Sequence, residues 1–108
     1  MRVEILYLSG CPNYPPAVSR TRDALHQEGV TADLIEIAVN DADTAVAVGF
    51  LGSPTIRIDG QDVELSARSA QTFGLTCRTY LAGGQRAGVP PIEWICAAIR
   101  AAKIEQGV

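Results

Sequence analysis

Cys11, Cys77 and Cys96 are the residues of this 108-residue chain with the most chemistry to offer, and no two of them show the C-x-x-C spacing of a zinc site or a dithiol redox motif. Cys11 has the most informative setting. It follows the apolar run Val3 to Leu8, sits in Ser9-Gly10-Cys11-Pro12-Asn13 and precedes Pro15-Pro16. Gly10 permits a sharp turn, and prolines suit the first turn of a helix, where a missing N–H costs little. A cysteine in a strand-to-helix turn meets unpaired N–H groups and the positive end of the helix dipole. That setting favours the thiolate, the form that attacks disulfides and binds soft metals. The alternative for any lone cysteine is a small buried hydrophobe.

Cys77 lies beside Arg78, a candidate thiolate-stabilising cation, in a stretch with no clean periodicity. It is the candidate partner of Cys11, with a structural role as the alternative. A disulfide between them requires Cα atoms within about 7 Å, which spacing along the chain does not decide. Cys96 falls on an apolar stripe with Ile92, Ile95 and Ile99 and reads as core. The Tyr14 hydroxyl is placed either for the Cys11 sulfur or a bound partner, or its ring packs against the segment around Cys77. His26 shares a solvated helix face with Arg22, Gln27 and Glu28. Trp94 lies off the apolar stripe and is expected to cover the segment before the last helix.

The elements that must position these residues are legible from patterning. Val3 to Leu8 is short, β-prone and nearly all apolar, which predicts a central strand buried on both faces. A helix follows to about Glu28, with Val18, the stem of Arg22 and Leu25 on its inner side and Gly29 as its stop. Val30 to Val39 predicts a second strand with partners on both sides, completing a right-handed parallel crossover. Asn40 or Asp41 caps a short helix through Val48, ended by Gly49. Thr55–Ile58 and Gln61–Leu65 flank Asp59-Gly60, a strong hairpin signal in which Asp59 needs only a turn role. Residues 66–89 have no clean period, although Arg78 to Leu81 is locally extended, and Pro90-Pro91 opens a last helix. The expected fold class is α/β: a central mixed four-stranded sheet flanked by helices, with an irregular insertion before the C-terminal helix, in a single domain over residues 1–108.

The hydrophobic share of 47% is enough for a core of one domain, and a net charge of −3 with no basic run argues against nucleic acid as a partner. The run Val3 to Leu8 is interrupted by Glu4 and too short for a signal-peptide core, and nothing is long enough to span a bilayer. A bacterial-type cytoplasm is expected, where thiols stay reduced and cysteines more often react than staple. No cofactor is implied, no membrane partner is expected, and oligomeric state is not legible.

The order of elements, with Cys11-Pro12 after the first strand and Ser53-Pro54-Thr55 before the hairpin, resembles the thioredoxin and glutaredoxin superfamily over nearly the whole chain. More narrowly, Gly10-Cys11-Pro12-Asn13-Tyr14, Phe50-Leu51-Gly52-Ser53-Pro54-Thr55, Gly74-Leu75-Thr76-Cys77-Arg78 and Pro90-Pro91-Ile92-Glu93-Trp94 resemble bacterial thioredoxin-like proteins, some of them labelled alkylmercury-lyase-like. The resemblance implies that Cys11 is the nucleophilic thiol and that the Ser53-Pro54 bond is cis and faces it. It also implies that the Ser53 backbone pairs with an extended thiol-bearing chain, and Pro12, Tyr14, Ser53 and Pro54 are the candidate substrate-binding residues. Tyr14 stands where a dithiol enzyme of that superfamily has its second cysteine.

Three readings follow. In the first, Cys11 performs thiol–disulfide exchange on a protein or glutathione substrate and is resolved by Cys77 or an external thiol. In the second, Cys11 and Cys77 hold a soft metal such as mercury or copper(I). The third is a redox-inert interaction module.

Overall fold

The structure, a computed structural model, describes residues 1–105. Its first strand, β1 (Arg2–Tyr7), lies between β2 (Asp33–Ala38), which runs parallel to it, and β3 (Thr55–Ile58), which runs antiparallel. β4 (Gln61–Asp62) completes the sheet in the order β2-β1-β3-β4. The central position of β1 agrees with its near-continuous apolar run: Val3, Ile5 and Leu6 are wholly buried.

Alternation along the strands divides the core in two. Val3 and Ile5, with Ile56 and Ile58 of β3, face α1 (Tyr14–Gln27) and α3 (Ile92–Glu105). Leu6 points the other way and packs with Val39, Ala45 of α2 (Ala42–Val48) and Phe50. The result is an α/β arrangement with a mixed four-stranded sheet between two helices on one face and one on the other.

Two elements depart from their sequence patterns. β2 is an edge strand, its residues part exposed and part half-buried, and shorter than Val30 to Val39, because no further strand pairs with its outer edge. In α1 the buried face is Ala17, Thr21, Ala24 and Leu25, and Arg22 is exposed. Thr21 is tolerated there because its hydroxyl donates to the Ala17 carbonyl at 2.8 Å.

The local punctuation is as the residue types require. Asp59 and Gly60 have φ of 49° and 82°, the pair of left-handed residues that a two-residue hairpin needs, and Arg57 pairs with Asp62 across it. The ladder ends there, so β4 stops short of the expected Leu65. Asp41 caps α2 by accepting the Thr44 N–H at 2.8 Å, and Gly49 closes it at φ 67°.

These hydrogen bonds hold the Asp41 carboxyl below its ordinary value, the Thr44 backbone N–H having the largest effect. A depressed carboxyl contributes stability above its unfolded value and loses it as pH falls through the folded one. Asp41→Ala is therefore expected to lower the thermal midpoint at neutral pH, with the gap to the parent closing in strong acid. Melting curves at the two pH values check this.

Residues 66–89 are more ordered than their sequence suggests. A 3-10 turn (Leu65–Ala67) leads into a loop, and β5 (Tyr80–Ala82) pairs with β6 (Gln85–Ala87) across Gly83-Gly84. Tyr80 is wholly buried and meets the edge of Trp94 with ring centroids 6.4 Å apart, so Trp94 does cover this segment. No helix among the described residues is long and apolar enough to cross a membrane.

Candidate functional site

Cys11 is held by two consecutive turns. Its N–H donates to the Leu8 carbonyl at 3.1 Å, with Gly10 at φ 83°, and its own carbonyl accepts the Tyr14 N–H at 3.2 Å. In the second turn Pro12 has the fixed φ that the position favours, and Asn13 at φ −92° and ψ −3° matches the residue after it in a type I turn. The helix proper starts at Tyr14, so Pro12 shapes the approach to α1 rather than opening it. Cys11 is half-buried and Pro12 is exposed.

The amides expected around the sulfur are fewer than a typical helix start provides. Pro12, Pro15 and Pro16 carry no N–H, and the Tyr14 N–H is bonded to the Cys11 carbonyl. The proline pattern that signals the helix thus also thins the donors at its N-terminus.

Tyr14 takes neither of its expected positions. Its hydroxyl donates to Glu36 of β2, and its ring stacks on Tyr7 with centroids 3.6 Å apart and planes at 2°. The bond to Glu36, then burial, raise the phenol above its ordinary range, which keeps it neutral and donating. The Tyr14 side chain is therefore turned toward the β2 edge.

Ser53 and Pro54 lie next to the Cys11 turn. The Ser53-Pro54 bond is cis. The Ser53 hydroxyl accepts the Leu8 N–H at 3.0 Å, so one residue, Leu8, binds Ser53 through its N–H and Cys11 through its carbonyl. The loop from the other side of the sheet is thereby tied to the turn that carries the thiol.

The backbone of Ser53 is already paired. Its N–H donates to the Thr76 carbonyl at 2.9 Å and its carbonyl accepts the Arg78 N–H at 3.0 Å, a parallel bridge opposite Cys77. The edge expected to take an extended substrate is filled by residues 76–78 of the same chain. Gly52 makes the approach possible: a Cβ there would lie 2.8 Å from the Arg78 Cβ and 3.3 Å from the Thr76 carbonyl oxygen, at a φ of 131°.

Arg78 does not face the cysteine beside it. Its guanidinium grips both carboxylate oxygens of Asp62 at 2.8 and 3.0 Å, Glu64 at 3.0 Å and the Thr55 hydroxyl at 3.1 Å, and lies 4.5 Å from the centre of the Tyr80 ring. This burial is an ion-pair network, and the role of thiolate partner to Cys77 goes unfilled by Arg78. The Tyr80 hydroxyl donates to the Pro54 carbonyl, a second clamp on the loop.

Asn13 and Gly88 were not legible as a pair. A Cβ at Gly88 would overlap the Asn13 carboxamide, so with glycine there the connection from β6 to α3 closes against the Cys11 turn without moving the Asn13 side chain. The signal available in sequence was a lone glycine ahead of Pro90-Pro91, which marks a loop but not what it touches.

All three cysteines are free thiols: Cys11 half-buried, Cys77 exposed and Cys96 buried. Among the described residues no group of three or more His, Cys, Asp or Glu is placed to hold a metal ion. No family model, curated protein or solved structure matches this chain.

Cys96 occupies the core position its stripe predicts, at 5% exposure with its sulfur 3.8 Å from the Gln27 side chain. Burial first, then the Glu28 charge, raise its thiol above the ordinary value. Iodoacetamide applied to the native protein is expected to modify Cys77 readily and spare Cys96 until denaturant is added. Peptide mass mapping reads the difference, and native labelling of Cys96 at the Cys77 rate would contradict its burial.

Proposed function

We propose that the chain is a thioredoxin-like, cytoplasmic thiol–disulfide oxidoreductase in which Cys11 is the attacking thiol and Cys77 the resolving one. The sheet order, the parallel β1-α1-β2 unit and the helices on both faces are compatible with a thioredoxin-like architecture. The observation that carries the reading is the position of Ser53, bonded through its hydroxyl to the residue that anchors the Cys11 turn and through its backbone across to Cys77.

Bridged residues lie about 4.8 Å apart, and their side chains leave the ladder on the same face. On this reading Cys77 leaves the bridge on the side of the Ser53 side chain, which is bonded to Leu8 ahead of Cys11. In the first step the Cys11 thiolate attacks a disulfide RSSR, forming Cys11–S–S–R and releasing RS⁻. In the second, the Cys77 thiolate attacks the Cys11 sulfur, releasing the other RS⁻ and leaving a Cys11–Cys77 disulfide. The substrate gains two electrons and the cysteine pair loses them; an external thiol such as glutathione returns the pair to its reduced state.

Incubation with glutathione disulfide tests this. The expected result is loss of the Cys11 and Cys77 thiols with no glutathione retained on the protein. A stable glutathione adduct on Cys11 would point to single-thiol chemistry, and an unreactive Cys11 would remove the reading altogether.

A further inference from the structure

We infer that the substrates of this site are low-molecular-weight disulfides, and that the segment 76–78 excludes extended polypeptides from it; this rests on the exchange chemistry proposed for Cys11. A polypeptide that binds by adding a strand needs free backbone donors and acceptors at the edge it joins. At Ser53 both are bonded to the chain itself, the N–H to Thr76 and the carbonyl to Arg78.

The strap is fixed at several points. Arg78 is 8% exposed and bonded to Asp62, Glu64 and Thr55, the Gly74 N–H donates to the Phe50 carbonyl at 3.1 Å, and Tyr80 is bonded to Pro54. Peeling it away would leave Asp62, itself 6% exposed, without its cation. A competing strand must therefore replace more than the pair of backbone bonds it gains.

Cys11 and Cys77 both keep contact with solvent. Cys77 and Pro12 are exposed and Cys11 is half-exposed, so a compact disulfide can meet Cys11 with no backbone pairing at all. The exchange is the balanced sequence given above, with RSSR a small dialkyl disulfide reduced to two RSH and the Cys11–Cys77 pair oxidised in its place.

The test compares rates of the whole protein on hydroxyethyl disulfide and on insulin, each divided by the rate of a free alkyl thiol on the same disulfide. The normalised rate should favour the small disulfide by about thirtyfold, the cost of breaking the two net backbone hydrogen bonds that hold Ser53 to Thr76 and Arg78 before a polypeptide strand can join there. Equal normalised rates, or a preference for insulin, would overturn the inference while leaving the exchange chemistry intact. Failure on both disulfides would instead remove the proposed function on which the inference rests. Hydrogen exchange gives an independent reading: the Ser53 and Arg78 amides should be strongly protected, and rapid exchange at both would show that the edge opens freely.

Discussion

Cys77→Ser is expected to stop the reaction half-way, with the substrate thiol retained on Cys11 as a mixed disulfide visible in the intact mass. The reason is geometric. Cys77 is opposite Ser53, whose hydroxyl is bonded to Leu8 at the base of the Cys11 turn, and in the proposed mechanism its attack on the mixed disulfide is intramolecular. Replacing it with an external thiol at millimolar concentration should slow release of the second thiol by roughly a hundredfold or more, because the advantage of a positioned group is lost. Cys11→Ser should fail earlier: no mixed disulfide forms at position 11, and Cys77 reacts only as an ordinary exposed thiol. Cys96→Ala should leave both steps unchanged, since its thiol is inside the core. Fast release by Cys77→Ser at the parent rate would show that an external thiol resolves the intermediate.

Arg78→Ala carries the largest expected effect on stability. The guanidinium and the Asp62 carboxylate are almost wholly buried against one another, with Glu64 and Thr55 completing the set. Removing one partner from a buried pair leaves a charge without solvent or cation, at a cost of about 3–5 kcal/mol. A small domain is stable by about 5–15 kcal/mol in total, so the urea midpoint should fall by a large fraction of its value.

Burial works against the Arg78 charge, but hydrogen bonding to Asp62 and the charges around it raise its pKa above an already high ordinary value. A raised basic group contributes stability below its unfolded value and loses it only above the folded one. The deficit of Arg78→Ala should therefore not diminish through loss of the arginine charge at any moderately alkaline pH. The double variant Arg78→Met with Asp62→Leu should recover a substantial part of the midpoint, because a buried pair replaced by apolar side chains is often neutral. If Arg78→Ala melts at the parent midpoint, the network is not what fixes the strap.

Much of the frame could be read from residue patterns. The continuous apolar run of β1, the Asp59-Gly60 hairpin, the Asp41 cap and the Cys96 stripe are local signals, each fixed by neighbours a few positions away. What sequence did not reveal depends on distant partners. β2 looked doubly paired because its apolar residues pack against helices as well as they would against strands. Residues 66–89 lacked periodicity because their order comes from single contacts: Arg78 to Asp62, Tyr80 to Pro54, Gly88 against Asn13.

The candidate site shows the same division. Ser53 is bonded to Leu8 at the base of the Cys11 turn, a proximity that the resemblance implied and no local pattern announced. The Ser53 edge, by contrast, is closed by Thr76-Cys77-Arg78, which lies in the stretch without clean periodicity and gives no sign of where it pairs. Tyr14 was equally opaque, since nothing near it in the chain announces Glu36 on a neighbouring strand.

The central claim is that two thiols, sixty-odd positions apart along the chain, act as one redox pair, and peptide mass mapping of the mildly oxidised protein tests it most directly. A single crosslinked species joining the peptides of Cys11 and Cys77 is expected, with Cys96 still reduced. Oxidised protein in which Cys11 remains a free thiol, or is linked only to another chain, would contradict it.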